Sequence, residues 1–159
     1  MEKVYRKEPV TEEELRSLKN LATDEEQAFF NRNSHLIPLY QDRLIAVALC
    51  QGAALQFLGR GYGVNDFDLH FFYAQNPAKR RLSRAVKRAI FDVGKFRQVP
   101  VDFVRTVVPG MKPDATALVE HLREFLQSKP TANATHLAEK AVIGLLPIDL
   151  FGVTIWPPS

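Results

Sequence analysis

The pattern of apolar and polar residues predicts two strands joined by a short helix. Residues 43–50 are apolar on both faces, as is typical of a central strand that is buried on both sides. Gly52 ends this run, and residues 53–58 have the apolar spacing of a short helix. Residues 66–73 begin with alternating polar and apolar side chains and predict a second strand. Because successive side chains of a strand lie on opposite faces, Phe67, Leu69 and Phe71 are expected to enter a core.

Capping signals and helical spacing predict the other elements. Thr11 and Glu14 have the sequence pattern of a capping box and predict a helix to about residue 20, and residues 23–31 predict a second helix. Residues 136–141 are weakly helical, whereas residues 141–146 fit a strand equally well. Further elements are predicted as an amphipathic helix at 79–92, a strand at 98–108, a helix that Asp114 caps and that ends near residue 127, and a strand at 153–156.

The composition is that of one globular domain. The 159 residues are 46% hydrophobic and 25% charged, which is enough for a substantial core. We predict an α/β (α+β) fold in which helices flank a mixed sheet, with the core at 40–107, N-terminal helices at 11–31 and an extension at 110–159. No apolar run reaches the roughly 20 residues that span a bilayer, and the N-terminus lacks an apolar secretory segment. We therefore expect a soluble, cytoplasmic protein with no membrane partner, in which the single cysteine, Cys50, is buried packing.

Positive charge is concentrated in one segment. The net charge is only +3, yet eight of the 21 basic residues lie between Lys79 and Arg97. On the predicted helix at 79–92, the basic side chains lie opposite the apolar stripe and are Arg80, Arg81, Arg84, Lys87 and Arg88. Such a face could contact the phosphates of RNA or DNA. A solubilising surface explains the charge at least as well.

Three aspartates are the strongest candidates for chemistry. Asp66 and Asp68 share one face of the second strand, and adjacent carboxylates repel each other unless a cation lies between them. Oxygen ligands of this kind suit magnesium or manganese. Asp102 is the only acid in the strand predicted at 98–108. If that strand lies beside the second one, the three carboxylates meet and could hold two metal ions for phosphoryl transfer. The alternative for the first pair is an ordinary exposed strand face.

The order of these motifs resembles the DNA polymerase β-type nucleotidyltransferase superfamily, in particular its minimal nucleotidyltransferases and abortive-infection toxins. The superfamily pattern is a hydrophobic residue, a glycine and a glycine or serine, then about a dozen residues later an Asp-x-Asp or Asp-x-Glu pair, and a third aspartate on a later strand. Here it falls on Gln51-Gly52-Ala53, on Asp66-Phe67-Asp68 and on Asp102, within roughly residues 40–107. Two positions depart from the pattern: Gln51 replaces an apolar residue, and Ala53 lacks a hydroxyl group.

The resemblance implies a reaction that depends on Mg²⁺ or Mn²⁺. A nucleoside monophosphate would pass from a nucleoside triphosphate to a hydroxyl group of an RNA, a protein or a small molecule. Asp66 and Asp68 would bind both metal ions, while Asp102 would bind the catalytic metal and accept the proton of the acceptor. Because residues 110–159 leave little room for an acceptor domain, a homodimer or a partner protein would supply that surface.

The nucleotide is expected to bind at the turn after the first strand. Gly52 and Ala53 would offer backbone N–H groups to the phosphates, and Arg60 could contact a triphosphate, although a surface arginine is an equal alternative. His70 shares the face of the aspartates and could contact metal or substrate, although a hydrogen-bonded neighbour is the more common role for such a histidine. Two other functions stay open: a non-catalytic module of this fold that binds a partner protein or nucleic acid, as in a toxin–antitoxin pair, and an unrelated nucleic-acid binder that uses the basic helix.

Overall fold

The computed structural model describes residues 8–61, 63–77, 87–92, 98–110 and 117–158. The helices are α1 (Glu12–Arg32), α2 (Ile37–Tyr40), α3 (Gln51–Phe57), α4 (Leu118–Ser128) and α5 (Ala132–Leu137). The strands are β1 (Leu44–Cys50), β2 (Phe67–Ala74), β3 (Lys87–Asp92), β4 (Gln98–Val108), β5 (Val142–Leu146) and β6 (Thr154–Trp156). These elements confirm the predicted α/β (α+β) class.

The strands form one mixed sheet in the order β3-β4-β2-β1-β5-β6. β2 and β4 are parallel, and every other pair of neighbours is antiparallel. The central strand predicted at 43–50 is confirmed by β1, in which each residue from Ile45 to Cys50 is at most 4% exposed. The strands predicted at 66–73 and 98–108 correspond to β2 and β4. The two strands that carry the three aspartates are therefore direct neighbours.

Helices cover both faces of the sheet. α1 packs on one face together with the odd-numbered residues of β2 from Phe67 to Tyr73, which confirms that Phe67, Leu69 and Phe71 enter a core. α4 and α5 pack on the opposite face, where Phe72 and Ala74 of β2 join a second apolar cluster. Within the described ranges, no helix has both the length and the apolar character that crossing a membrane requires.

The first helix is longer than predicted. Thr11 accepts a hydrogen bond from the Glu14 backbone at 3.1 Å, and the reciprocal bond is present, so the predicted capping box is confirmed. The predicted break at residues 20–23 is wrong, because α1 continues to Arg32. Thr23 does not cap a second helix but donates its hydroxyl to the Lys19 carbonyl one turn earlier, at 3.1 Å. Buried side chains from Leu15 to Phe29 follow one continuous helical stripe across the predicted break.

The amphipathic helix predicted at 79–92 is wrong where the structure can test it. Residues 87–92 form β3, which pairs with β4 in antiparallel register. Local spacing favoured a helix, but the run Ala89-Ile90-Phe91 also suits a strand, and pairing with a neighbouring strand overrides a weak helical preference. Lys87 and Arg88 therefore belong to a strand at the edge of the sheet. Arg80, Arg81 and Arg84 lie outside the described residues, as does Asp114.

The C-terminal third contributes two helices and two strands. α4 overlaps the helix predicted to end near residue 127 and itself ends at Ser128. α5 begins at Ala132, earlier than predicted, because the Thr131 hydroxyl accepts a hydrogen bond from the Ala134 N–H at 3.1 Å and caps the helix. Of the two interpretations of residues 141–146, the strand is correct, and β5 pairs with β1. The extension therefore completes the sheet and borders the end of β1.

Candidate metal and nucleotide site

The site begins at the turn that joins β1 to α3. Gln51 opens the helix with a φ of 65°, in the left-handed region that non-glycine residues rarely adopt. Its N–H donates to the Ala141 carbonyl at 3.1 Å, which ties the turn to the segment before β5. In the sheet register Cys50 lies opposite Asp68, so the turn lies next to the acidic end of β2. Antiparallel pairing on both sides of β1 thus fixes the position of the turn.

The three predicted aspartates converge at this end of the sheet. Asp66 immediately precedes β2, and in the parallel pairing of β2 with β4 Asp68 lies opposite Asp102. Residues that are opposite each other in a parallel pair share a face of the sheet. One carboxylate oxygen from each of the three residues lies within 4.8 Å of the others. The structure therefore brings together the residues that the sequence placed on two separate strands.

The chemistry of this cluster suits a divalent cation. Like charges at such a distance repel each other, and a cation between them removes the penalty. A set of three carboxylate oxygens is the donor type that Mg²⁺ and Mn²⁺ prefer, and it differs from the nitrogen and sulfur donors typical of zinc. The donor set therefore fits the type of metal that the motif implies.

A cavity adjoins the aspartates. Its volume is about 410 Å³, and it is lined by Gln51, Gly52, Ala53, Leu55, Gly61, Gly63, Asn65, Asp66, Asp68 and Lys140. The predicted nucleotide-binding residues Gly52 and Ala53 both border it. A Cβ atom placed on Gly52 would have no atom within 4 Å, so this glycine faces open space. Arg60 is exposed and does not belong to the lining, so its predicted contact with a triphosphate has no support from this geometry.

Two lining residues were not predicted as site residues from the sequence. Lys140 lies just before β5 in the C-terminal extension, and this exposed residue lines the same cavity as Asp66. Asn65 precedes the acidic pair. Lys140 has no local signal, because only the pairing of β5 with β1 carries it to the site. Its position beside Asp66 in the sequence could have identified Asn65 as a site residue.

Two neighbours of the aspartates are structural. His70 is 4% exposed, and its ring stacks on Phe72 at 6.3 Å between centroids. This geometry favours the structural role over the metal-ligand role. Cys50 is fully buried, and burial raises the pKa of its thiol well above its usual range, with the nearby Asp68 charge raising it further. The thiol therefore stays protonated and packs as a small apolar group, as predicted.

Comparisons with family models, with curated proteins and with solved structures gave no match for this chain. The resemblance to nucleotidyltransferases accordingly depends on the motif residues themselves.

Proposed function

We propose that this protein is a metal-dependent nucleotidyltransferase that transfers a nucleoside monophosphate from a nucleoside triphosphate to a hydroxyl acceptor. The observation that carries the proposal is the convergence of Asp66, Asp68 and Asp102, with ligand oxygens within 4.8 Å of one another. The adjoining cavity of about 410 Å³ is in the size range of small-molecule sites. An acidic cluster beside such a cavity suits a substrate that arrives as a metal complex.

Each residue of the site has a defined task in this reaction. Asp66 and Asp68 would hold the metal ions, which would supply positive charge to neutralise the phosphates. Asp102 would also bind metal, and its carboxylate accepts the proton of the acceptor hydroxyl. The acceptor oxygen forms a bond to the α-phosphorus, the bond from that phosphorus to the bridging oxygen breaks, and pyrophosphate leaves. Lys140 lies at the cavity, where its positive charge favours binding of the triphosphate.

Calorimetric titration with each of the four nucleoside triphosphates, with and without Mg²⁺ or Mn²⁺, tests the binding step. We expect metal-dependent binding of at least one nucleotide and its loss in both Asp66→Asn and Asp68→Asn. Asp149→Asn is a matched control, because this exposed aspartate makes the same charge change away from the cavity lining. Folded wild-type protein that binds no nucleotide under any condition would refute the proposal.

A second variant tests the cavity without changing charge. Gly52→Leu places a side chain in the open space beside this glycine, with little cost to the fold. We expect the nucleotide to be excluded while the thermal unfolding temperature stays close to that of the wild type. An unchanged nucleotide affinity would show that the ligand does not occupy this cavity.

The transfer step has its own measurement. Incubation with the bound nucleotide labelled at the α-phosphate should release pyrophosphate and label an acceptor in total RNA or protein. Nucleotide binding that depends on metal and on Asp68, with no transfer and no pyrophosphate release, would instead identify the non-catalytic module of this fold.

A further inference from the structure

Gln51 carries a buried donor that the fold does not satisfy. The residue is 6% exposed, and its side-chain Nε2 has no hydrogen-bond partner among the described residues. A buried amide without a partner is unfavourable, and in a native protein it calls for an explanation. Gln51 is also the position where the nucleotidyltransferase pattern has an apolar residue, which would carry no such penalty. A buried amide with no partner among the described residues points to a ligand that accepts its hydrogen bond.

The backbone holds this side chain at the cavity. Gln51 has a left-handed backbone conformation at the start of α3, and its backbone N–H donates a hydrogen bond to the Ala141 carbonyl. Gln51 lines the same cavity as Asp66 and Asp68. The terminal torsion of a glutamine is soft, so its rotation can direct the Nε2 hydrogens toward the cavity. A ligand there would supply the acceptor that the described residues do not provide.

The composition of the cavity indicates which acceptor fits. Asp66 and Asp68 supply carboxylate oxygens that can bind a metal ion. Lys140 also lines the cavity, and its ammonium group can only donate hydrogen bonds. A polyphosphate chain satisfies both sides, because its oxygens bind metal ions and accept hydrogen bonds from N–H groups. An amide hydrogen bond to a charged oxygen is stronger than one to a neutral acceptor.

We infer that the Gln51 amide donates a hydrogen bond to a phosphate oxygen of the bound polyphosphate, and so acts as a binding residue of this site. The inference deepens the proposed function and depends on it. Both a nucleoside triphosphate and inorganic tripolyphosphate carry the required oxygens. The contact is therefore expected with either ligand.

The test compares Gln51→Met with the wild type by calorimetry, using Mg²⁺ complexes of tripolyphosphate and of the preferred nucleoside triphosphate. Met has a similar length but no donor. We expect affinity for both ligands to fall by about 10-fold to 100-fold, the usual range for a lost hydrogen bond to a charged group. Gln127→Met is the control for the same exchange, because Gln127 is exposed on α4 and does not line the cavity. Its affinity should equal that of the wild type.

Thermal unfolding without ligand gives an independent readout. Removing an unsatisfied amide should raise the unfolding temperature of Gln51→Met by about 2–4 °C, whereas a glutamine with a structural role would give a decrease. Gln51→Asn is the second variant if Gln51→Met fails to fold. Asn tolerates the left-handed backbone but retracts the amide by one methylene group, so its affinity for both ligands should also fall.

The outcomes separate this inference from the proposed function. If the wild type binds neither ligand, the proposed function fails and the inference fails with it. If the wild type binds and Gln51→Met binds equally well, the inference alone is overturned. If Gln51→Met weakens the nucleotide but not tripolyphosphate, the amide contacts the sugar or base, and the assignment to phosphate is wrong.

Discussion

β2 and β4 carry two charged clusters that differ in how their charge is balanced. On one face, Asp68 and Asp102 lie opposite each other and meet Asp66. On the other face, Arg105 of β4 makes an ion pair with Glu25 of α1 at 3.1 Å. The triad brings three carboxylates together, whereas the second cluster pairs a carboxylate with an arginine. The same two strands therefore carry one cluster of like charges and one cluster of opposite charges.

The Arg105 cluster is also enclosed by aromatic rings. The Arg105 side chain is fully buried, and its guanidinium carbon lies 3.5 Å from the centre of the Phe29 ring and 4.7 Å from that of Phe71. Cation–π contacts of this kind favour a desolvated arginine. Glu25 also pairs with Arg32 at 3.2 Å. These contacts link α1 to the sheet, and a charge removed here leaves its partner buried.

The largest loss of stability is expected for Arg105→Met. Breaking a buried ion pair from one side costs about 3–5 kcal/mol, and we expect a value near the lower end, about 3 kcal/mol, because Arg32 still compensates Glu25. The measurement is the free energy of unfolding from urea titration. Arg16→Met is the control: Arg16 pairs with Glu12 at 2.6 Å, but both side chains are mostly exposed. The loss of unfolding free energy in Arg16→Met should stay below about 0.5 kcal/mol.

If the free energy of unfolding of Arg105→Met equals that of Arg16→Met within experimental error, this account of the second cluster is contradicted. The double variant Glu25→Gln with Arg105→Met gives a further check. Because the buried Glu25 carboxylate, which has lost its Arg105 partner, is also neutralised, the double variant should recover part of the stability lost in Arg105→Met.

The triad is expected to respond to a divalent cation. Asp68→Asn removes one of three carboxylates whose oxygens lie within 4.8 Å of one another, so the variant should lose the response to the ion. Saturating Mg²⁺ should stabilise the wild type and not the variant. Thermal unfolding with EDTA and with Mg²⁺ measures both. An equal rise of the unfolding temperature with Mg²⁺ in both proteins would mean that the triad does not bind the ion.

The two clusters also differ in how far the sequence could predict them. The triad residues were recognisable because each aspartate interrupts an apolar strand, and two of them share a face by simple alternation. Their meeting required only that β2 and β4 be neighbours. The ion pair of Arg105 and Glu25 joins residues that are 80 positions apart. No local pattern shows which helix will cover which strand, so this cluster could not be predicted.

The same limit explains the errors in the prediction of the fold from the sequence. β1, β2 and β4 were predictable because they are buried and carry their signal locally. β3 was misassigned, because its pairing with β4 decides its structure and the helical spacing at residues 79–92 does not. Lys140 was missed for a related reason: it reaches the cavity only through the pairing of β5 with β1.

The smallest change in stability is expected at Glu26, which lies at the margin of the Arg105 cluster. Burial raises the pKa of this carboxyl above its ordinary value of 4.5, while its hydrogen bond from the Tyr73 hydroxyl and the charge of Arg105 act in the opposite direction. A raised pKa means that the fold favours the protonated form. The stabilising contribution of Glu26 is therefore present below pH 4.5 and is lost as the pH rises through the pKa of the folded state.

Glu26→Gln mimics the protonated form and can still accept the Tyr73 hydrogen bond. At pH 7 the variant should therefore be more stable than the wild type, by about 0.5 kcal/mol, as for most changes at partly exposed positions. The advantage should shrink as the pH falls toward 4.5 and below, where the wild-type carboxyl is itself protonated. Urea titrations of both proteins between pH 4 and pH 7 measure this difference. A variant that is less stable than the wild type at pH 7 would show that ionised Glu26 is favourable and belongs with Glu25 in balancing Arg105.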